Sequence, residues 1–315
     1  MKHRIVCLII TAALAALILS GCGATQPPAE APDDPTTRVM ASFYPIYALT
    51  LPVATDVPDL TVGCLTQPQN GCPRRYTLSD WDAAILAAQD GVIIGGRGFE
   101  TFESALTGLK DEGPALLIAF SGLTLINGGP ANDESTHFEG DNPWLFLSVS
   151  GAKEIVISLA SGLAQLDEAY ASAYYANMDA TLKRLDELDA RMREALSGVP
   201  RQPVALLHEG LIYLAEDLGL EVACQVPREP GTDQIGNDLD ALLEALDAGG
   251  ARVALVERQV PMNLCDALEE NGYIVCRIDT LMTHAADGDA DAYFDIMYDN
   301  ALSVADALAR ADEAP

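Results

Sequence analysis

The chain has 315 residues, 49% of them hydrophobic, and a formal net charge of −29. That apolar content excludes a disordered chain and is enough to build two lobes of ordinary size. The acidic balance excludes nucleic-acid binding, which needs a basic face, and tight adsorption to anionic lipid headgroups.

Residues 1–21 read as a secretory signal. Lys2 and Arg4 precede an apolar run from Ile5 to Leu19, shorter than the ~20 residues that span a bilayer. Leu19-Ser20-Gly21-Cys22 closes the run and resembles a bacterial lipobox. That resemblance implies cleavage before Cys22, a lipid on its sulfur, and a body held outside the cytoplasmic membrane through that lipid alone. Residues 22–37, rich in Pro, Ala, Asp and Thr, read as a flexible tether.

Residues 38–166 read as an N-terminal α/β lobe. Strands are expected at 38–43, 60–62, 91–95 and 115–120, and helices at 80–88, 99–109 and 151–166. Ser79 and Asp82 form the pattern of a capping box with Asp in place of Glu. From 167 to 196 no Pro or Gly interrupts an apolar repeat of Tyr170, Tyr174, Met178, Leu182, Leu185, Leu188, Met192 and Leu196. The repeat predicts one helix of about 45 Å, with residues 167–197 joining the two lobes. Residues 198–315 repeat the alternation as a C-terminal α/β lobe. Its strands are expected at 204–207, 220–224, 253–257 and 274–278, and its helices at 211–218, 239–248, 262–271 and 293–309. The fold class is α/β: two lobes, each a mostly parallel sheet flanked by helices, joined by one long helix. Ligands of such sheets bind beyond the carboxyl ends of the strands.

Seven cysteines are present. Cys7 lies in the signal. Cys64 and Cys72 flank a turn-rich stretch, which favours a local disulfide outside the cytoplasm. Among Cys224, Cys265 and Cys276 at most one pair can form, and spacing does not say which. Gly95-Gly96-Arg97-Gly98 fits neither phosphate-loop pattern and reads as a backbone turn beside the cleft.

Several stretches carry a resemblance together: Ser42-Phe43-Tyr44-Pro45-Ile46-Tyr47, the run from Gly91 to Glu100, the long helix, Val256-Glu257, Arg277-Ile278-Asp279-Thr280-Leu281, and Tyr293-Phe294-Asp295-Ile296-Met297 followed by Asn300. In this order they resemble the solute-binding lipoproteins of metal ABC transporters, the zinc and manganese receptor family. The resemblance implies a class III solute-binding fold, a monomer, an ABC permease as partner, and Zn²⁺ or Mn²⁺ as transported cargo. It also implies one metal ligand from each of four loops converging on a common pocket. His208, five residues before Tyr213, stands at the third position, and Asp279 at the fourth. At the first, Gly71-Cys72-Pro73-Arg74-Arg75-Tyr76 carries Arg74 in place of histidine. At the second, Asn142-Pro143-Trp144-Leu145-Phe146-Leu147 carries Trp144.

Arg74 cannot ligate, because a guanidinium has no lone pair to give. At about 4 Å from a dication it would be repelled by roughly 8 kcal/mol at an effective dielectric of 20. His137 or Glu139 is a substitute ligand from the first lobe, and Glu209, Glu257 or His284 from the second. Alternatively, Arg74, Arg75 and Trp144 hold a metal chelate or another anionic organic ligand. A third outcome is an adhesion or interaction lipoprotein that keeps the fold with a degenerate site. A metalloenzyme built on His208, Glu209 and Asp279 is the weakest reading, since no nucleophile–base set or paired-carboxylate motif falls in the cleft. Each residue also has a structural reading: His208 at a strand end, Asp279 capping a turn, Trp144 in the core, and His137 and His284 in solvated loops.

Overall fold

The computed structural model describes residues 37–70, 76–107, 113–127, 141–226 and 239–313. Strand β1 (Thr37–Ala41) leads into helix α1 (Tyr44–Ala54), followed by β2 (Leu60–Cys64), α2 (Asp80–Ala87), β3 (Gly91–Ile94), α3 (Glu103–Thr107) and β4 (Ala115–Ile118). The four strands are all parallel, in the order β2-β1-β3-β4. A two-stranded antiparallel ladder, β5 (Ile126–Asn127) with β6 (Asp141–Asn142), follows, and then α4 (Val149–Leu166) and α5 (Ala171–Ala195).

The second sheet is built from β7 (Val204–Leu206), β8 (Val222–Gln225), β9 (Val253–Glu257) and β10 (Ile274–Ile278). Helices α6 (Leu211–Leu218), α7 (Leu239–Gly249) and α8 (Met262–Glu270) lie between them in the chain, and α9 (Ala292–Glu313) follows. It too is parallel, in the order β10-β9-β7-β8. The two sheets therefore share one winding. In each, the second strand lies outside the first, and the third and fourth lie on its other side. The direction of winding reverses between β1 and β3 and between β7 and β9, the places where a crevice opens at the strand ends. Strands β3, β7 and β9 are buried at every residue, as near-continuous apolar runs in a doubly covered sheet should be, with Glu257 at the end of β9 the one acid among them.

One apolar cluster runs through both halves, from Val39, Ile46 and Phe120 through Leu159 and Leu185 to Leu255, Ile278 and Tyr293. Smaller clusters fill the remaining faces, one around Leu246, Val256 and Leu268 and one around Leu86, Val92 and Phe102. Among the described residues no helix is long and apolar enough to cross a membrane.

The short ladder of β5 with β6 was not expected, and three helices differ from the sequence expectation. The single helix over 167–196 is broken at its start. Asp167 leaves helical geometry at φ −129° and ψ 76°, and a 3₁₀ turn (Glu168–Tyr170) precedes α5. The remaining 25 residues span about 37 Å. The expected helix over 99–109 is reduced to Glu103–Thr107 among the described residues. Helix α1 was not expected at all. Nearly all of it is buried and it contains Pro45 and Pro52, so neither a polar face nor an uninterrupted period announces it. The capping box is present: Ser79 accepts from the Asp82 N–H at 3.2 Å, and Asp82 accepts from the Ser79 N–H at 2.8 Å.

Candidate metal-binding cleft

Strand β7 delivers the first site residue. Beyond its end, the Leu207 N–H donates to the Leu255 carbonyl at 2.9 Å, which carries His208 alongside the end of β9. Glu257 closes β9 and pairs in register with Ile278, so Asp279 follows at once on β10. His208, Glu257 and Asp279 thus stand at the carboxyl ends of three adjacent strands, and all three are buried. His208 Nε2 lies 3.6 Å from Glu257 Oε2 and 3.9 Å from Glu209 Oε1.

The His208 ring is oriented from behind. Its Nδ1 accepts from the Gly210 N–H at 3.0 Å. The neutral ring then carries its proton on Nε2, facing the two carboxylates. A cation bound at Nε2 replaces that proton, and the ring must then hold its proton at Nδ1 and release the Gly210 bond.

Asp279 is engaged on both oxygens. Oδ1 accepts from the Leu281 N–H at 2.9 Å, which caps a turn with Leu281 at φ +62°. Oδ2 is paired with Arg258 Nη1 at 2.6 Å and with His284 Nε2 at 2.8 Å. Asn300 holds the backbone, accepting from the Asp279 N–H at 2.9 Å and donating to its carbonyl at 2.8 Å. Burial pushes the Asp279 pKa up, but the His284 hydrogen bond and charge, the Leu281 N–H and the Arg258 charge outweigh it, so the group sits below the usual carboxylate range. His284 is not a freely solvated loop residue. It stacks on Tyr44 from α1, centroids 5.1 Å apart and planes at 29°. Nearby, Tyr47 accepts from the Gly288 N–H at 2.9 Å.

The first lobe meets this edge through the loop after β6. Trp144 is 2% exposed. Its ring stands edge-on to His208, centroids 4.4 Å apart at 89°, and touches Phe99 and Phe146. Gly210 permits the approach, since a Cβ there would lie 2.6 Å from Trp144 Cγ. Asn142 Nδ2 donates to the Glu209 carbonyl at 2.9 Å, and the Tyr213 hydroxyl donates to the Asn142 carbonyl at 2.6 Å while accepting from the Ile126 N–H at 2.8 Å.

Two carboxylates that sequence reasoning missed support the cleft. Glu100 is buried and accepts from the Ser42 hydroxyl at 2.7 Å, the Gly95 N–H at 2.7 Å and the Gly96 N–H at 3.0 Å. It shapes the turn of Gly96, Arg97 and Gly98, all at positive φ, and Arg97 pairs with Asp141 at the start of the Trp144 loop. Asp217 accepts from the Val149 N–H and from the Ser150 hydroxyl at the start of α4. An acidic residue after a glycine turn was the only sequence signal for Glu100. Asp217 had none.

Arg74, Arg75, Cys72, His137 and Glu139 lie outside the described residues. The Cys64 thiol donates to the Thr66 carbonyl at 3.4 Å. Cys224, Cys265 and Cys276 are free thiols. Among the described residues no group of three or more His, Cys, Asp or Glu forms a ready-made metal cage.

Two parallel-sheet lobes of identical winding, a long helix and a cleft at the strand ends define the class III solute-binding protein fold. Residues 39–307 match ZnuA, the periplasmic component A of the zinc-uptake complex, and the chain belongs to that family. It is 26% identical over 222 residues to the zinc-binding lipoprotein AdcA of Streptococcus pneumoniae, a match that covers 68% of this chain and 42% of AdcA. It is 27% identical over 187 residues to the iron-binding protein YfeA of Yersinia pestis, covering 58% of this chain and 57% of YfeA. The chain therefore spans about two fifths to three fifths of these curated relatives. In fold it is similar to the solute-binding protein FpvC of Pseudomonas aeruginosa in complex with Mn²⁺, with a TM-score of 0.75 at 23% identity over 87% of this chain and 99% of that one.

Proposed function

We propose that this chain is the extracytoplasmic receptor of an ABC importer, held at the membrane by a lipid on Cys22, that captures a divalent transition metal, zinc or manganese, between its lobes and hands it to the permease. It binds and releases its cargo without chemical turnover. Residues 38–166 and 198–315 serve as the lobes and 167–197 as the connector. The observation that carries this reading is the placement of His208, Glu257 and Asp279 at the carboxyl ends of the adjacent strands β7, β9 and β10, with His208 Nε2 3.6 Å from Glu257 Oε2 and 3.9 Å from Glu209 Oε1. Imidazole and carboxylates are the ligands that Zn²⁺ and Mn²⁺ accept. A dication also relieves the cost of burying several acids together. His137 is the first-lobe candidate to complete the shell. The relatives, named as zinc- and iron-binding proteins, point to the same class of cargo.

One observation favours cargo that brings its own oxygens, such as a metal carboxylate chelate. Trp144 Nε1, Gln259 Oε1 and Thr280 Oγ1 are buried without a hydrogen-bond partner among the described residues. They belong to the loops after β6, β9 and β10, where a polar solute would satisfy them.

Elemental analysis of unlipidated Cys22→Ser protein tests the proposal. About one equivalent of zinc or manganese is expected, and Glu257→Gln should lower it. Metal-free protein from metal-replete growth, unchanged by that substitution, would leave the adhesion reading in its place.

A further inference from the structure

We infer that Arg258 is a resident counter-cation on Asp279 that an incoming metal must displace, and that it thereby sets how tightly the cleft holds its cargo. This rests on the receptor reading above. Arg258 directly follows β9. Its backbone N–H donates to the Ile278 carbonyl at 2.9 Å, and its carbonyl accepts from Arg277, so its backbone is fixed beside the start of Asp279. The side chain then reaches Asp279 Oδ2 at 2.6 Å. The two partners are unlike in burial: the Arg258 side chain is 60% exposed and that of Asp279 only 8%. A water-facing cation is parked on a buried carboxylate.

The geometry sets the two cations in competition. Leu281 occupies Oδ1, and Arg258 and His284 share Oδ2. A dication that ligates Asp279 therefore meets the Arg258 charge at contact distance. A guanidinium keeps its charge, so Arg258 must swing out, and its exposed stem lets it do so. On release the same group returns and pairs with Asp279 again. Arg258 thus weakens capture and speeds departure.

The test compares binding of Zn²⁺ and Mn²⁺ to unlipidated wild-type protein with Arg258→Ala, Arg258→Lys and the double variant Arg258→Ala/Asp279→Ala, using equilibrium competition and stopped-flow release. Exposed charges are screened, so the expected gain for Arg258→Ala is about tenfold in affinity, expressed mainly as slower release. Arg258→Lys should stay within a few-fold of wild type, and the double variant should lose the gain. If wild type binds metal and Arg258→Ala binds equally or more weakly, Arg258 is a surface ion pair and the inference is overturned while the receptor reading stands. If neither protein binds either metal, the receptor reading fails first and the inference falls with it.

Discussion

Trp144 of the first lobe stands edge-on against His208 of the second, ring centroids 4.4 Å apart and planes at 89°. The pair joins the lobes beside the carboxylates of the cleft, since the imidazole it packs against has its Nε2 facing Glu209 and Glu257.

The contact depends on a missing side chain. Gly210→Ala places a Cβ 2.6 Å from Trp144 Cγ and should cost about 1–3 kcal/mol as overpacking. Trp144→Ala alone should cost about 3–5 kcal/mol as a buried aromatic truncation. Urea unfolding of the two single variants and the double variant measures the coupling. The Gly210→Ala penalty should shrink once the indole is gone. Strictly additive penalties would show that the two sites do not touch.

Asp217 caps a helix of the opposite lobe. It accepts from the Val149 N–H and the Ser150 hydroxyl, and its negative charge lies at the positive end of α4. Asp217→Ala should cost about 1–2 kcal/mol and speed hydrogen exchange at the Val149 and Ser150 amides. Unaltered exchange there would rule out the cap.

Glu100 gives a pH signature of defined sign. Burial raises its pKa against the Ser42, Gly95 and Gly96 hydrogen bonds. An acid whose folded pKa is raised gives its full stability below its unfolded value of about 4.3 and loses it as pH rises through the folded value. Glu100→Gln removes the titration. The stability advantage of wild type over this variant should therefore be largest in acid and shrink as pH rises. An advantage that grows with pH would reverse the assignment.

The buried thiols should be inert in the folded protein. Burial pushes Cys64 and Cys276 up to about 12, and the thiolate is the reactive form. In reduced protein at pH 8, alkylation mapped by mass spectrometry should reach the half-buried Cys224 before Cys64, Cys265 or Cys276. The last three should react on unfolding. Rapid labelling of Cys276 in the native state would show that β10 opens.

The sequence made the second sheet readable. Val253–Glu257, Ile274–Ile278 and Leu211–Leu218 fall where apolar runs end at Gly, Pro or charged residues, and those boundaries are local chemistry. Helix α1 was hidden because burial on every side erased its period. The break at Asp167 was hidden because no Gly or Pro marks it. Within the cleft, His208 and Asp279 stood out at strand ends and within recognisable stretches. Trp144 stood out with them, at the second position of the resemblance. Arg258 and Glu100 did not, because contacts across a sheet have no sequence spacing: Arg258 meets Asp279 from 21 residues away, and Glu100 meets Ser42 from 58.

Calorimetric titration of Zn²⁺ and Mn²⁺ into metal-stripped, unlipidated protein, beside His208→Ala, tests the central claim most directly. The account predicts one saturable site per chain in the wild type, and at least about a hundredfold loss of affinity in His208→Ala. Binding of equal strength in both proteins, or no saturable heat from either metal in either protein, would contradict it.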